Sequence, residues 1–170
     1  LWWCHKLGER SARGEDVAYM LTSAADARAV HNALAIARKW WPVGSVPRYW
    51  KSGGPARDAA ALVHAPLPEP GVHTEVTTAA PPAQVFSLRG VEGEIALRIG
   101  QTVTAEQAAA LTPATAIDLI DAYAVALEFV DSRWREGTQA PALTLLADGQ
   151  CHGGLALGPW QDFAPLRAHN

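Results

Sequence analysis

Residues 89–100 read RGVEGEIALRIG, Arg89 to Gly100, and the reading of this stretch decides the fold. Val91, Ile95, Leu97 and Ile99 are the apolar, mostly branched residues that a β-strand favours. Glu92 and Glu94 stand at i and i+2, so an extended chain projects both carboxylates from one face. Two like charges side by side repel each other. The arrangement is tolerable when both face water, or when a cation sits between them. Pairs of this kind are common on solvent-facing strands, so this stretch alone leaves both readings open.

A third carboxylate lies downstream in the run YAVALEFVDSRW, Tyr123 to Trp134. Tyr123, Val125, Leu127 and Phe129 alternate with Ala124, Ala126, Glu128 and Val130. That period of two indicates a strand, with the larger side chains on one face and Glu128 on the small-residue face. A helix is the competing reading, because alanine is frequent here. A carboxylate among alanines suits an inward ligand better than a surface residue. Three carboxylates without a His or Cys cluster suit a hard cation with oxygen ligands. Magnesium, manganese or calcium fit, and zinc or copper fit poorly. Such an ion keeps exchangeable waters, which a 2-oxo acid can displace through its carboxylate and keto oxygens. The ion would then act as a Lewis acid towards a developing enolate.

Upstream, Val46 to Lys51 looks extended and Ser52-Gly53-Gly54-Pro55 reads as a turn. Lys51 is therefore expected where a strand meets a loop. A lysine there is ordinarily solvated; the functional reading is an ammonium facing an anionic substrate.

The remaining chain frames these residues. At 170 residues it is one domain of ordinary size, with net charge −3 and a pI near 6.1. Nothing there asks for a nucleic-acid partner. The two cysteines lack CxxC spacing and fit a reducing cytosol. No apolar run approaches the roughly 18 residues of a membrane span, and the first residues lack the order of a signal peptide. Ser23 to Trp41 reads as an amphipathic helix, with Ser23 as N-cap and Pro42 beyond its end. Trp2 and Trp3 are expected to pack on a neighbouring element or a partner subunit. Residues 56–82 are alanine- and proline-rich and read as an irregular excursion, with short strands near Leu62–Val63 and His73–Val76. His31 reads as a surface histidine without a role, and neither His64 nor His73 has metal-ligand spacing to another histidine. Thr104 and Gln107 form a capping-box pattern for a short helix. Thr112 and Pro113 start a second helix, expected to run to Asp121 or Ala122. Pro141 to Leu146 is a short apolar piece, Asp148-Gly149 a turn, and His152 to Leu157 a strand. The stretch from Trp160 onward carries no assignment, and the chain is expected to lack sequence at its C-terminal end.

Taken in order, WKSGGP, VEGEIALRIG, ALEFVDSRW and APALTLLADGQCHGGLALG resemble the fumarylacetoacetate hydrolase superfamily. The branch they look most like is the 2-keto-4-pentenoate hydratase group with its related 2-oxo-acid decarboxylases. The combination of the glutamate pair, a later glutamate and DSR carries the specificity; the pair alone does not. The resemblance implies an α+β fold, a mixed β-roll with short helices. It would comprise a helical N-terminal part, residues 1–45, and a metal-binding β-roll domain, residues 46–170. It implies Mg2+ or Mn2+ held by Glu92, Glu94 and Glu128, with Lys51 in the active site. Leu146-Ala147-Asp148 would line the same pocket, Asp148 orienting water or substrate. Two departures stand out. Relatives add closing strands beyond the segment matching His152 to Leu157, and in many hydratases the segment after the aspartate holds asparagine and serine where this chain has Gly149, Gln150 and Cys151.

The implied function is a metal-dependent hydratase or hydrolase acting on small 2-oxo or enol acids, in a cytoplasmic homo-oligomer, with aromatic catabolism as its setting. Decarboxylation or C–C bond hydrolysis on the same site is the alternative, because all three pass through a stabilised enolate. A truncated, non-catalytic member of the family and a ligand-binding module docked through its Trp-rich N-terminus are the non-enzymatic alternatives. No nucleic-acid or membrane partner is expected.

Overall fold

The computed structural model describes Ala29 and residues 46–53, 63–74 and 86–167. The expected N-terminal helix lies outside the described residues except for Ala29, which is helical. Two sheets organise the rest. A two-stranded antiparallel sheet pairs β1 (Tyr49–Gly53) with β2 (Val63–Leu67). A five-stranded sheet has the order β3 (Val72–His73), β6 (His152–Leu157), β5 (Ile120–Val130), β4 (Gly90–Ile99). β7 (Gln161–Asp162) pairs β5 at Ala122 and Tyr123, beyond the end of the β5–β6 ladder. β3 runs parallel to β6 and the other pairs are antiparallel, so the sheet is mixed.

The helices are short. α1 (Ala105–Ala109) begins with the expected capping box: Thr104 accepts from Gln107 N, and Gln107 answers the Thr104 N–H. α2 (Pro113–Ala116) carries a second box, between Thr112 and Thr115. It passes into a 3₁₀ turn at Ile117–Leu119, and β5 begins at Ile120, earlier than the expected helix end. The branched side chains from Ile117 onward favour the strand once β4 offers a partner. Within the apolar piece Pro141 to Leu146, Pro141 is the N-cap and the rest lies in α3 (Ala142–Ala147); α4 is Ala164–Arg167. β1 also continues through Ser52 and Gly53, so Lys51 stands mid-strand rather than at a strand–loop junction. Pairing of Ser52 with His64 and of Gly53 with Val63 overrides the turn propensity of those residues.

Burial on β5 inverts the usual alternation. Ala122, Ala124, Ala126 and Glu128 are buried, whereas Val125 and Leu127 are exposed. The ladder sets Glu92 opposite Glu128 and Glu94 opposite Ala126, so the even-numbered side chains of β4 and β5 share one face. The opposite face presents Val91, Ile95, Leu97 and Ile99 beside Val125 and Leu127. The small side chains of β5 leave room for the approach of β1, and this is where the carboxylates gather.

Candidate metal centre

Glu92 and Glu94 project from β4 on one face, as their spacing requires, and Glu128 comes from the paired position on β5. One ligand oxygen from each lies within 4.8 Å of the others. Glu92 and Glu94 are exposed and Glu128 is buried. The three stand in the wall of a cleft of about 670 Å³, together with Lys51 from β1 and apolar side chains that include Leu155, Leu157 and Trp160.

Lys51 bridges the two sheets. Its Nζ donates to both Glu128 oxygens, at 2.7 and 2.6 Å, and to the Gln150 carbonyl at 3.2 Å. His152 adds a contact from Nδ1 to Glu128 Oε1 at 2.7 Å. Burial by itself raises the Glu128 carboxyl, but the bonds from His152 and Lys51 outweigh it and hold the group below its ordinary value. Glu94 moves the other way. Desolvation in the cleft and the neighbouring Glu128 and Glu92 charges raise it, against the pull of Lys51. A cation held beside Glu94 would offset both the neighbouring negative charge and the desolvation.

The turn after α3 supplies the Gln150 carbonyl. Gly149, Gln150 and Cys151 lie consecutively at φ 64°, 58° and 61°. Only the glycine adopts this region without strain; each of the other two costs on the order of 1 kcal/mol. The surrounding DSRW segment holds the turn. Asp131 Oδ1 accepts from the Ser87 and Leu88 amides. Ser132 Oγ and the Arg133 amide donate to Asp148 Oδ2, at 3.2 and 3.1 Å. The Arg133 guanidinium donates to Asp148 Oδ1 and to its carbonyl, and at 2.6 Å to the His152 carbonyl. Trp134 Nε1 donates to the Thr144 carbonyl of α3.

This network reassigns Asp148. The aspartate is wholly buried, is not among the residues lining the cleft, and spends both oxygens on Ser132 and Arg133. Burial raises its carboxyl and the Arg133 guanidinium, with its backbone and side-chain bonds, opposes the rise. Asp148 anchors the turn that carries Gln150; orienting water or substrate in the cleft is not its place. Cys151 is buried, and burial with the nearby Asp148 charge raises its thiol, so it offers no thiolate nucleophile. The structure brings Glu92, Glu94, Glu128 and Lys51 together. Sequence reasoning missed His152 and the Arg133 clamp. The doubled glycine after His152 was the available signal, since glycines inside a strand often mark a bulge.

A hard-ion donor set on a mixed sheet with short helices defines the class: the chain belongs to the fumarylacetoacetate hydrolase family, whose C-terminal region matches residues 46–168. Members of this superfamily are typically enzymes. Among solved structures the chain is similar to 4-oxalocrotonate decarboxylase from Pseudomonas putida G7 complexed with magnesium and adipate, at 15% identity and a TM-score of 0.57. The same enzyme complexed with calcium and acetate gives 15% identity and a TM-score of 0.56. In both cases 94% of this chain is covered, and it spans 60% of the length of the other. At this identity the likeness is one of fold. No curated protein matches the chain at a significant level.

The residues fit a divalent ion. Metal–oxygen bonds of about 2.0–2.6 Å can bridge oxygens as close as these. All three donors are carboxylates, so magnesium, manganese and calcium suit the set better than zinc or copper.

Proposed function

We propose that this chain carries the metal-binding active site of an enzyme acting on small 2-oxo acids, with Glu92, Glu94 and Glu128 holding Mg2+ or Mn2+. The observation that carries the reading is the convergence of three carboxylates and one ammonium in a single cleft. A bound ion would supply Lewis acidity to the substrate's keto and carboxylate oxygens. Lys51 adds a fixed positive charge beside the same oxygens, held by Glu128 and the Gln150 carbonyl so that it does not reorganise as negative charge develops. Leu155, Leu157 and Trp160 receive the carbon chain and exclude water from it. Residues 46–170 form the metal-binding domain on this reading. The protein works in the cytoplasm as a homo-oligomer; among the described residues no helix is long and apolar enough to cross a membrane.

Hydration of an enol acid is the first reading of the reaction. Decarboxylation is the second, favoured by the likeness to a solved 4-oxalocrotonate decarboxylase. Both require enolisation, which one experiment reads directly. Exchange of the C3 protons of a 2-oxo acid for deuterium, followed by NMR with Mg2+ present, is expected to need Glu92 and Glu94. Absence of exchange, together with unchanged Mn2+ binding in Glu92→Gln, overturns the enzymatic reading. Release of CO2 or formation of the hydroxy acid then separates the two reactions.

A further inference from the structure

His152 is a buried side chain whose fold-stabilising value is doubtful on its own terms. The residue is 6% exposed, and its Nε2 meets no hydrogen-bond partner among the described residues. A buried polar atom left so is destabilising, a cost that an aliphatic residue of similar size would not incur. A Cβ added at Gly71 would lie 3.9 Å from Nε2, so that nitrogen sits near the Gly71 backbone, and His152 is not among the residues lining the cleft. What the ring offers that an aliphatic residue cannot is the contact from Nδ1 to Glu128 Oε1. An ionised carboxylate only accepts, so the contact requires a proton on Nδ1.

The backbone is arranged to make this contact. β6 pairs β5 with Leu155 opposite Glu128 and Gly154 opposite Phe129, but His152, not Gly153, stands opposite Val130. In an unbroken ladder His152 would share a face with Gly154, away from Glu128. The extra residue, Gly153, is a bulge, and a bulge re-aims the side chain beside it. A Cβ on Gly153 would sit 2.7 Å from the Phe129 carbonyl oxygen, so the bulge in this form requires glycine. The Arg133 guanidinium then holds the His152 carbonyl at 2.6 Å.

We propose that His152 is the positioning residue of the metal centre: its Nδ1–H commits Oε1 of Glu128 and fixes the buried ligand in the orientation that faces Glu92 and Glu94. This rests on the metal site proposed above and extends it to a residue outside the carboxylate set. Partners that orient a ligand from behind typically govern ten- to hundredfold in metal affinity.

The test is Mn2+ binding to the full chain at one fixed pH, by calorimetry and by the EPR signal of free Mn2+. Wild type, His152→Leu, His152→Asn and His152→Gln are compared, with circular dichroism and melting temperature reporting folding. An asparagine amide can place its N–H where Nδ1 stands, and a glutamine amide reaches instead towards Nε2. The expected result is a ten- to hundredfold weaker Kd for His152→Leu and His152→Gln, with His152→Asn within about threefold of wild type. A merely space-filling histidine would give the opposite order, with leucine best tolerated. A long-range proton–nitrogen NMR spectrum of the wild-type ring, without metal, is expected to show the Nδ1–H form. An Nε2–H ring overturns the proposal, and so does wild-type affinity in His152→Leu, with the metal site left standing. A wild-type protein that binds no Mn2+ overturns the metal site and this proposal together.

Discussion

Replacing Lys51 by methionine is expected to destabilise the metal-free protein by about 3 kcal/mol. Methionine keeps the length of the side chain and loses the ammonium. Glu128 is 2% exposed, and it would keep His152 as its one remaining donor among the contacts described above. Removing one partner of a buried ion pair costs about 3–5 kcal/mol, because the other charge stays desolvated. Lys51 keeps 18% of its side chain exposed, which places the loss at the lower end. Glu128→Gln is expected to cost less, about 1–2 kcal/mol, because the freed ammonium can turn towards water in the cleft. The double variant is expected to recover part of the sum, with a coupling of about 1.5–3 kcal/mol. Urea unfolding in the presence of EDTA measures all four proteins. With a slope of about 2 kcal/mol per molar, the Lys51→Met midpoint should fall by about 1.5 M. Saturating Mn2+ should shrink the Lys51→Met deficit, since the ion replaces the missing counter-charge. A loss below about 1 kcal/mol, or single effects that add to within about 0.5 kcal/mol, would refute the reasoning.

Three further outcomes follow from the same contacts. Arg133→Met leaves the wholly buried Asp148 without its guanidinium, and an unfolding titration should show a loss of about 3–5 kcal/mol. The Glu128 carboxyl is held below its ordinary 4.5, so its contribution to stability is complete above that pH and disappears as pH falls through the lower folded value. In EDTA, wild type and Glu128→Gln should therefore converge on the acid side of about pH 4.5; a gap that stays constant there would contradict the assignment. Gly153→Ala forces a Cβ against the Phe129 carbonyl oxygen and should lower stability by about 1–3 kcal/mol, measured by thermal melting, while weakening Mn2+ binding as His152→Leu does.

Much of this was legible along the chain because it depends on near neighbours. The spacing of Glu92 and Glu94 sets their common face, the alternation at Tyr123 to Val130 marks β5, and the Thr104–Gln107 pattern is a cap that three residues complete. Segments whose state depends on a distant partner were not legible. Ser52 and Gly53 read as a turn but are strand because His64 and Val63 pair with them. Asp148 read as a pocket residue but is consumed by Arg133, fifteen positions away. His152 read as the first residue of a strand, and no local pattern says that a bulge turns it towards Glu128.

By itself the sequence determined several of the strands and short helices, the family, and the common face of Glu92 and Glu94, because side-chain period and residue type are local properties of the chain. Only the tertiary structure decided which face of β5 is buried, which oxygen meets which donor, and whether an acidic residue serves the cleft or the frame. Those outcomes depend on register and on desolvation, and both are set by residues far apart along the chain but adjacent in the fold.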